Sequence, residues 1–216
     1  TTNSITVNYG TSSVSGNITV KGNNSCGDGA TSTLAITVNP LPNEAGTISG
    51  NATVCQGQNS IMYAVPSIPN ASSYIWTLPS GSTGSSSSNI ITLSYGTSAV
   101  SGNITVKGNN SCGDGATSTL AITVNPLPSA AGTISGSANV CQGQNSITYN
   151  VPAIANATSY VWTLPSGATG SSNTNSITVD YGTSVTSGNI TVKGNNTCGD
   201  GATSTLAITV NPLPAS

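Results

Sequence analysis

SGNITVKGNN stands at residues 15–24, returns unchanged at 101–110 and returns again at 187–196, so the chain repeats with a period of 86 residues, from 15 to 101 and from 101 to 187. Inside the stretch, Ile104 and Val106 alternate with Asn103, Thr105 and Lys107. That two-residue period belongs to a β-strand with one buried face, and copying one strand-bearing unit at a fixed interval makes an array of modules. Working outward, GTISG recurs at residues 46–50 and 132–136, and Cys55, Trp76 and Tyr95 recur at Cys141, Trp162 and Tyr181. Residues 1–42 match only the second half of a unit. The expected division is therefore a half-module over 1–42 and complete modules over 43–128 and 129–216. A half-module lacks the strands that cover its apolar face, and two origins for them are open: chain upstream of Thr1, or a second copy.

Composition narrows the class. Charged residues make up 4% of the 216, there is no His and no Phe, and Gly numbers 25. Few charges argue against disorder, and abundant Ser, Thr, Val and Ile argue against helix, which leaves an all-β protein. A net charge of −2 with three lysines offers no basic patch, so nucleic acid is not an expected partner. No run of 18 apolar residues is present, so membrane insertion is not expected either. Without His, and with five scattered acids, general acid–base catalysis has no candidate residues, and the chain reads as non-enzymatic with no cofactor.

The strand map of residues 43–128 has period-2 segments at Thr47–Ser49, Ile61–Val65, Tyr74–Leu78, Ile90–Tyr95, Asn103–Lys107 and Thr117–Val124, separated by Gly, Asn, Ser and Pro clusters. Alternation assigns Ile61, Tyr63, Val65, Leu78, Ile91, Leu93, Tyr95, Ile104, Val106, Leu120, Ile122 and Val124 to the faces between two packed sheets. The same phase turns Tyr74 and Trp76 inward, with Tyr160 and Trp162 in the next copy. They are read as core residues rather than as exposed rings for stacking on sugars. Between the copies, Met62 becomes Thr148, Ala64 becomes Asn150 and Ser94 becomes Asp180, all on the outward phase. The Cys112-Gly113-Asp114-Gly115 turn has too few carboxylates for calcium and reads as a tight loop. Lys21, Lys107 and Lys193 read as solvated surface lysines.

Five cysteines punctuate the array: Cys26, Cys55, Cys112, Cys141 and Cys198. No CxxC and no His accompany them, which excludes a zinc site and points to disulfides in an exported, extracellular protein. The pairs expected within each complete module are Cys55 with Cys112 and Cys141 with Cys198, leaving Cys26 unpaired. The connector NPLP at residues 39–42, 125–128 and 211–214 favours an extended, stiff backbone. Modules joined by it are expected to form an extended rod about 100 Å long at about 3.3 Å per strand residue.

The succession VCQGQNSI, SYIWTLPSG, ITLSYG, SGNITVKGNNSCG and LAITVNP resembles the PKD-like, immunoglobulin-type repeats of long bacterial surface adhesins, including type IX-secreted and gliding-motility proteins. The resemblance runs the length of the chain. It departs at Leu78-Pro79-Ser80-Gly81, where the usual repeat has an FGDG-type turn, as in a variant subfamily. An immunoglobulin-type strand order would place Cys55 before the second strand and Cys112 after the sixth, at opposite ends of the sandwich. It thereby raises an alternative pairing between repeats or chains, such as Cys55 with Cys198. The resemblance implies a cell-surface stalk whose partners are neighbouring repeats or other copies, with glycans or a host surface met by domains outside this stretch. The alternative is a self-assembling extracellular fibre subunit whose half-module is completed by strand exchange.

Overall fold

The computed structural model describes residues 3–214, so the first two and last two residues of the outer modules lie outside it. Among the described residues every regular element is a strand. Contacts divide the chain into two units. One comprises the chain up to Ala52 with Asn59–Ser94 and Gly102–Ile122; the other comprises Thr53–Gln58, Tyr95–Ser101 and everything from Thr123 onward. Three segments of the second copy thus belong by contact with the third.

In the second unit the whole third copy forms a two-layer sandwich. One sheet orders Asn139–Cys141, Ser204–Asn211, Gly188–Asn196 and Ser159–Thr163, with the short Gly199–Asp200 strand closing a hairpin on Gly188–Asn196. The other orders Ile147–Asn150, Ser176–Tyr181 and Ala168–Thr169. All pairings are antiparallel except the first: Asn139–Cys141 runs parallel to Ser204–Asn211, in the register Cys141↔Asn211. The alternation read in SGNITVKGNN accounts for the inner faces. Ile190, Val192, Ile177, Val179, Val140 and Ile208 are buried between the sheets, each worth about 1.5–3 kcal/mol of apolar surface removed from water.

The centre of this core is a tyrosine pair. Tyr149 and Tyr181 are fully buried, and their hydroxyl oxygens stand 2.7 Å apart. Tyr149 donates to the Ser137 carbonyl at 2.8 Å, so the pair meets the rule that a buried hydroxyl needs partners. Trp162 and Tyr160 pack against the core from its margin. A physical reason holds them there: each has a polar end to satisfy. Trp162 Nε1 donates to the Thr174 carbonyl at 2.9 Å, and the Tyr160 hydroxyl accepts from Ile154 N–H at 2.9 Å. Trp76 and Tyr74 repeat these bonds with Ser88 and Ile68. The four aromatics read as core are half-buried, while the tyrosines at 63, 95, 149 and 181 are fully buried.

In the first unit, Ile61–Ala64 pairs antiparallel with Ile90–Tyr95, and Ser73–Thr77 with Gly102–Asn110, in the order of the third copy. The short strands Thr53–Cys55 and Ser82–Thr83 were not legible as period-2 segments, because two or three residues show no period. Where a sequence strand was expected at Thr47–Ser49, Ser49 alone makes a bridge, to Ala64.

The half-module carries a two-stranded sheet, Gly16–Val20 with Ser32–Ile36, and a small hairpin, Asn23–Asn24 with Gly27–Asp28. Its apolar face is bare. Ile5 is 78% exposed and Val20 68%, whereas their equivalents Ile91 and Val106 are at 2% and 0%. The covering side chains in a complete module come from its first half, which residues 3–42 do not contain.

Candidate functional site

Among the described residues, the cysteines define one place where successive copies are chemically joined. Cys55 of the second copy is disulfide-bonded to Cys198 of the third, with Cα atoms 5.5 Å apart and 143 residues between them in sequence. Cys26, Cys112 and Cys141 are exposed thiols. This replaces the expected Cys55–Cys112 and Cys141–Cys198 pairs with the alternative register. The reason is visible in the third copy. Cys141 lies in register with Asn211 at the end of the Ser204–Asn211 strand, while Cys198 sits in the hairpin before that strand begins. Eight strand residues separate the two ends by about 25 Å, and a disulfide closes only when Cα atoms come within about 7 Å.

Three segments build the joint, all within the second unit. The first is the turn Cys55-Gln56-Gly57-Gln58. Cys55 N–H donates to Gln58 Oε1 at 2.9 Å, and Gly57 adopts φ of +77°, a left-handed conformation that glycine takes without strain. The second is the linker Asn125-Pro126-Leu127. Gln56 fastens turn to linker: its N–H donates to the Asn125 carbonyl at 3.0 Å, and its Oε1 accepts from Leu127 N–H at 3.3 Å. Gln56 Nε2 meanwhile donates to the Ala99 carbonyl at 2.9 Å.

The third segment is the loop Asn195-Asn196-Thr197-Cys198-Gly199. Asn196 Oδ1 accepts from Cys198 N–H at 2.8 Å, turning the cysteine outward, while its Nδ2 donates to the Pro126 carbonyl at 3.0 Å. Leu127 packs on Gly199, its Cδ2 lying 3.4 Å from where a Cβ on that glycine would stand. Around the disulfide is an open cleft of about 430 Å³ lined by Cys55, Gln56, Gly57, Gln58, Leu127 and Cys198. The joint is therefore polar clasps around a leucine, closed covalently. Sequence reasoning found its cysteines but not Gln56, Asn196 or Leu127. The signal available was the identity of CQGQN and NPLP between copies.

The first unit contains a related arrangement. Cys112 donates to the Asn39 carbonyl at 3.4 Å, Asn110 Nδ2 donates to the Pro40 carbonyl at 2.9 Å, and Leu41 Cδ2 lies 3.3 Å from the Cβ position of Gly113. Loop and linker are docked as in the joint, with no Cys-Gln-Gly-Gln turn beside them among the described residues. A cleft of about 390 Å³, lined in part by Tyr9, Ser13, Leu41 and Cys112, stands in its place.

The remaining candidates are local. The Gly113–Asp114 turn is the short arm of a hairpin with Asn109–Asn110. Across each such hairpin a lysine pairs with the aspartate: Lys107 with Asp114 at 2.5 Å, Lys193 with Asp200 at 2.5 Å, and Lys21 with Asp28. These lysines are thus paired within their own module. The lysine bond, aided by Asn109 or Asn195, holds Asp114 and Asp200 below the usual carboxylate range. Among the described residues no group of three or more His, Cys, Asp or Glu is placed to hold a metal ion, and no helix is long and apolar enough to cross a membrane.

Strand order, two-layer packing and a covalent tie between successive modules define the class: a tandem array of immunoglobulin-type β-sandwiches. The chain belongs to the PKD-like domain family, whose model matches residues 1–36, 41–122 and 127–208. No curated protein matches it. Among solved structures it is similar to titin domains I67–I69 in an E-to-A mutated variant, at 18% identity over 91% of this chain and 75% of that one, TM-score 0.47. It is also similar to FdeC, an adhesin of Escherichia coli, at 15% identity over 91% and 74%, TM-score 0.41. A third is the extracellular domains 3–5 of Drosophila OTK, at 13% identity over 91% and 71%, TM-score 0.41.

Proposed function

We propose that this chain is a non-enzymatic stalk region of an exported bacterial surface adhesin, a run of PKD-like modules that carries binding or anchoring domains lying outside it. The observation that carries the reading is the Cys55–Cys198 bond, which ties one copy to the next and is a kind of cross-link that persists in oxidising, extracellular settings. The complete modules have buried apolar cores, and the charged side chains are three lysine–aspartate pairs with Glu44 and Asp180, a composition suited to a spacer. Type IX export and a role in gliding motility belong to the same reading. The test is immunolabelling and protease shaving of intact cells that make the protein, with the reduced mass of the shaved antigen on a gel. Surface antigen far above 21 kDa after reduction is expected. Antigen confined to the cytosol with all cysteines as thiols refutes the proposal.

A second reading, a self-assembling fibre subunit completed by strand exchange, draws on the bare face of the half-module. Ile5, Tyr9, Val20 and Leu34 are each at least half exposed. Antigen of about 21 kDa after reduction, in an assembly that sediments, favours it over the stalk.

A further inference from the structure

Ser73–Thr77 lies at the edge of its sheet, paired on one side with Gly102–Asn110, and Ser159–Thr163 pairs in the same way with Gly188–Asn196. Their sequences, SYIWT and SYVWT, are aromatic and β-branched, with no charge and no proline. Such an edge is a template for another strand, and proteins usually protect it with lysine, proline or a covering segment. Here the three lysines are each bonded to an aspartate across their own hairpins, so none guards an edge. Each edge also presents an apolar side chain to solvent, with Ile75 40% and Val161 41% exposed.

A covering segment is present in both complete modules. In an antiparallel ladder alternate residues turn their backbone groups to the partner strand. Tyr74 turns its N–H the other way and donates to the Ser87 carbonyl at 3.1 Å; Trp76, two residues on, has its Nε1 taken by the Ser88 carbonyl. In the next copy Tyr160 N–H donates to the Asn173 carbonyl at 3.1 Å, and Trp162 Nε1 to that of Thr174. The same segment is also fixed to the opposite sheet. Just past Ile61–Ala64, Val65 N–H donates to the Asn89 carbonyl at 2.9 Å and Asn89 Nδ2 to the Val65 carbonyl at 3.0 Å, as Val151 and Asn175 do in the third copy.

Hydroxyls give the segment its shape. Ser88 N–H donates to Ser86 Oγ and Ser88 Oγ to the Ile90 carbonyl, both at 3.1 Å, and Thr174 makes the same two bonds with Ser172 and Ser176. Between the copies these two positions keep a hydroxyl, while the one between them changes from Ser87 to Asn173. The groups that meet the edge are backbone carbonyls, so the flanking hydroxyls are the side chains the cover requires.

We infer that residues 85–89, and 171–175 in the next copy, are straps that occupy the outward edges of Ser73–Thr77 and Ser159–Thr163, and that what they hold off is the same edge strand of a second copy. With the strap displaced, the Tyr74 N–H and the outward backbone of Trp76 are the groups an added strand bonds, edge to identical edge about a two-fold axis. The straps thus keep lateral pairing out of a β-sandwich array that has almost no charge to do so. This inference concerns the complete modules and does not depend on the adhesin reading.

The experiment uses the full chain as C26S/C112S/C141S, so that no free thiol joins copies, and compares it with the same chain carrying S86A/S88A/S172A/T174A. Hydrogen exchange at low concentration and sedimentation velocity over a concentration series are read for both. The Tyr74 and Tyr160 amides are expected to exchange on the order of tenfold faster once the hydroxyls are gone, and larger species to grow with concentration beyond those of the parent. Adding I75E/V161E sets like charges on facing edges and returns the sedimentation to the parent's while the amides stay fast. W76F/W162F, which deletes only the indole bonds, moves both readouts in the same direction by a separate route. Fast amides with the parent's sedimentation, amides as protected as the parent's, or association that survives I75E/V161E overturns the inference.

Discussion

Replacing both Cys55 and Cys198 with Ser removes a cross-link that spans 143 residues. In the chain-entropy treatment a closed loop of about that length restricts the unfolded chain by about 17 cal/mol/K, or about 5 kcal/mol at 25 °C. At roughly 2–4 °C per kcal/mol for a chain of this size, the variant melts about 10–20 °C below the oxidised parent. Calorimetry of the parent with and without reductant, beside the double variant, reads this directly. Reduced parent and double variant should melt together. Thiol counting before and after reduction of the unfolded protein fixes the covalent state, with three thiols expected first and five afterwards. A triple variant, C26S/C112S/C141S, melts with the oxidised parent, since those thiols are exposed. A double variant within 2 °C of an oxidised parent that shows three thiols refutes the reasoning, because closing the loop would then contribute nothing to stability.

Gly108 and Gly194 lie in strands where an added Cβ comes 2.9 Å from Ala71 and Pro42, or 2.9 Å from Ala157 and Ile154, whereas their equivalent Gly22 has nothing within 4 Å. G108A and G194A should each lower stability by about 1–3 kcal/mol in urea melts and G22A should not; equal effects at all three would show that the close approach is unimportant. Burial pushes the Tyr149 and Tyr181 hydroxyls above the usual value of 10. The fold favours their neutral forms, so their contribution is whole below pH 10 and is lost as pH rises through the folded values. Alkaline absorbance titration should show late-ionising tyrosine whose amplitude falls in Y149F/Y181F, and no change in that double variant would contradict the assignment. Asp114 and Asp200 are lowered by their lysines below the usual 3.8. The stability they add is present above pH 3.8 and lost as pH falls through the folded values. Carbon-detected NMR should place both midpoints below 3.8, and K107M should raise that of Asp114; a midpoint at or above 3.8 in the parent counts against the ion pairs.

The buried faces were legible because alternation is a local property. Ile91, Leu93, Tyr95, Ile104 and Val106 each sit where the period of two places them. Repeats gave the same information twice, with Met62 exposed and replaced by Thr148 on the outward side. Several features were not local. Ile68 and Ala45 are buried from irregular stretches that have no period. The disulfide partner of Cys55 depends on which end of a sandwich each loop reaches. The parallel Thr53–Cys55 strand sets that end, and three residues are too few to announce it. Spacing favoured Cys112 as the nearer partner in sequence, but the length of a strand decided against it. The docking of Leu127 and the clasp by Gln56 are properties of three segments that meet only after folding.

A covalent tie between residues 55 and 198 also changes what happens when the chain is pulled by its ends. Tension arriving at Cys55 crosses to Cys198 through two sulfur atoms, and the residues between them are taken out of the line of force. At about 3.6 Å per residue, some 500 Å of contour length is stored behind that bond. Forced extension of the oxidised chain should therefore stop short by that amount, and adding reductant should release it.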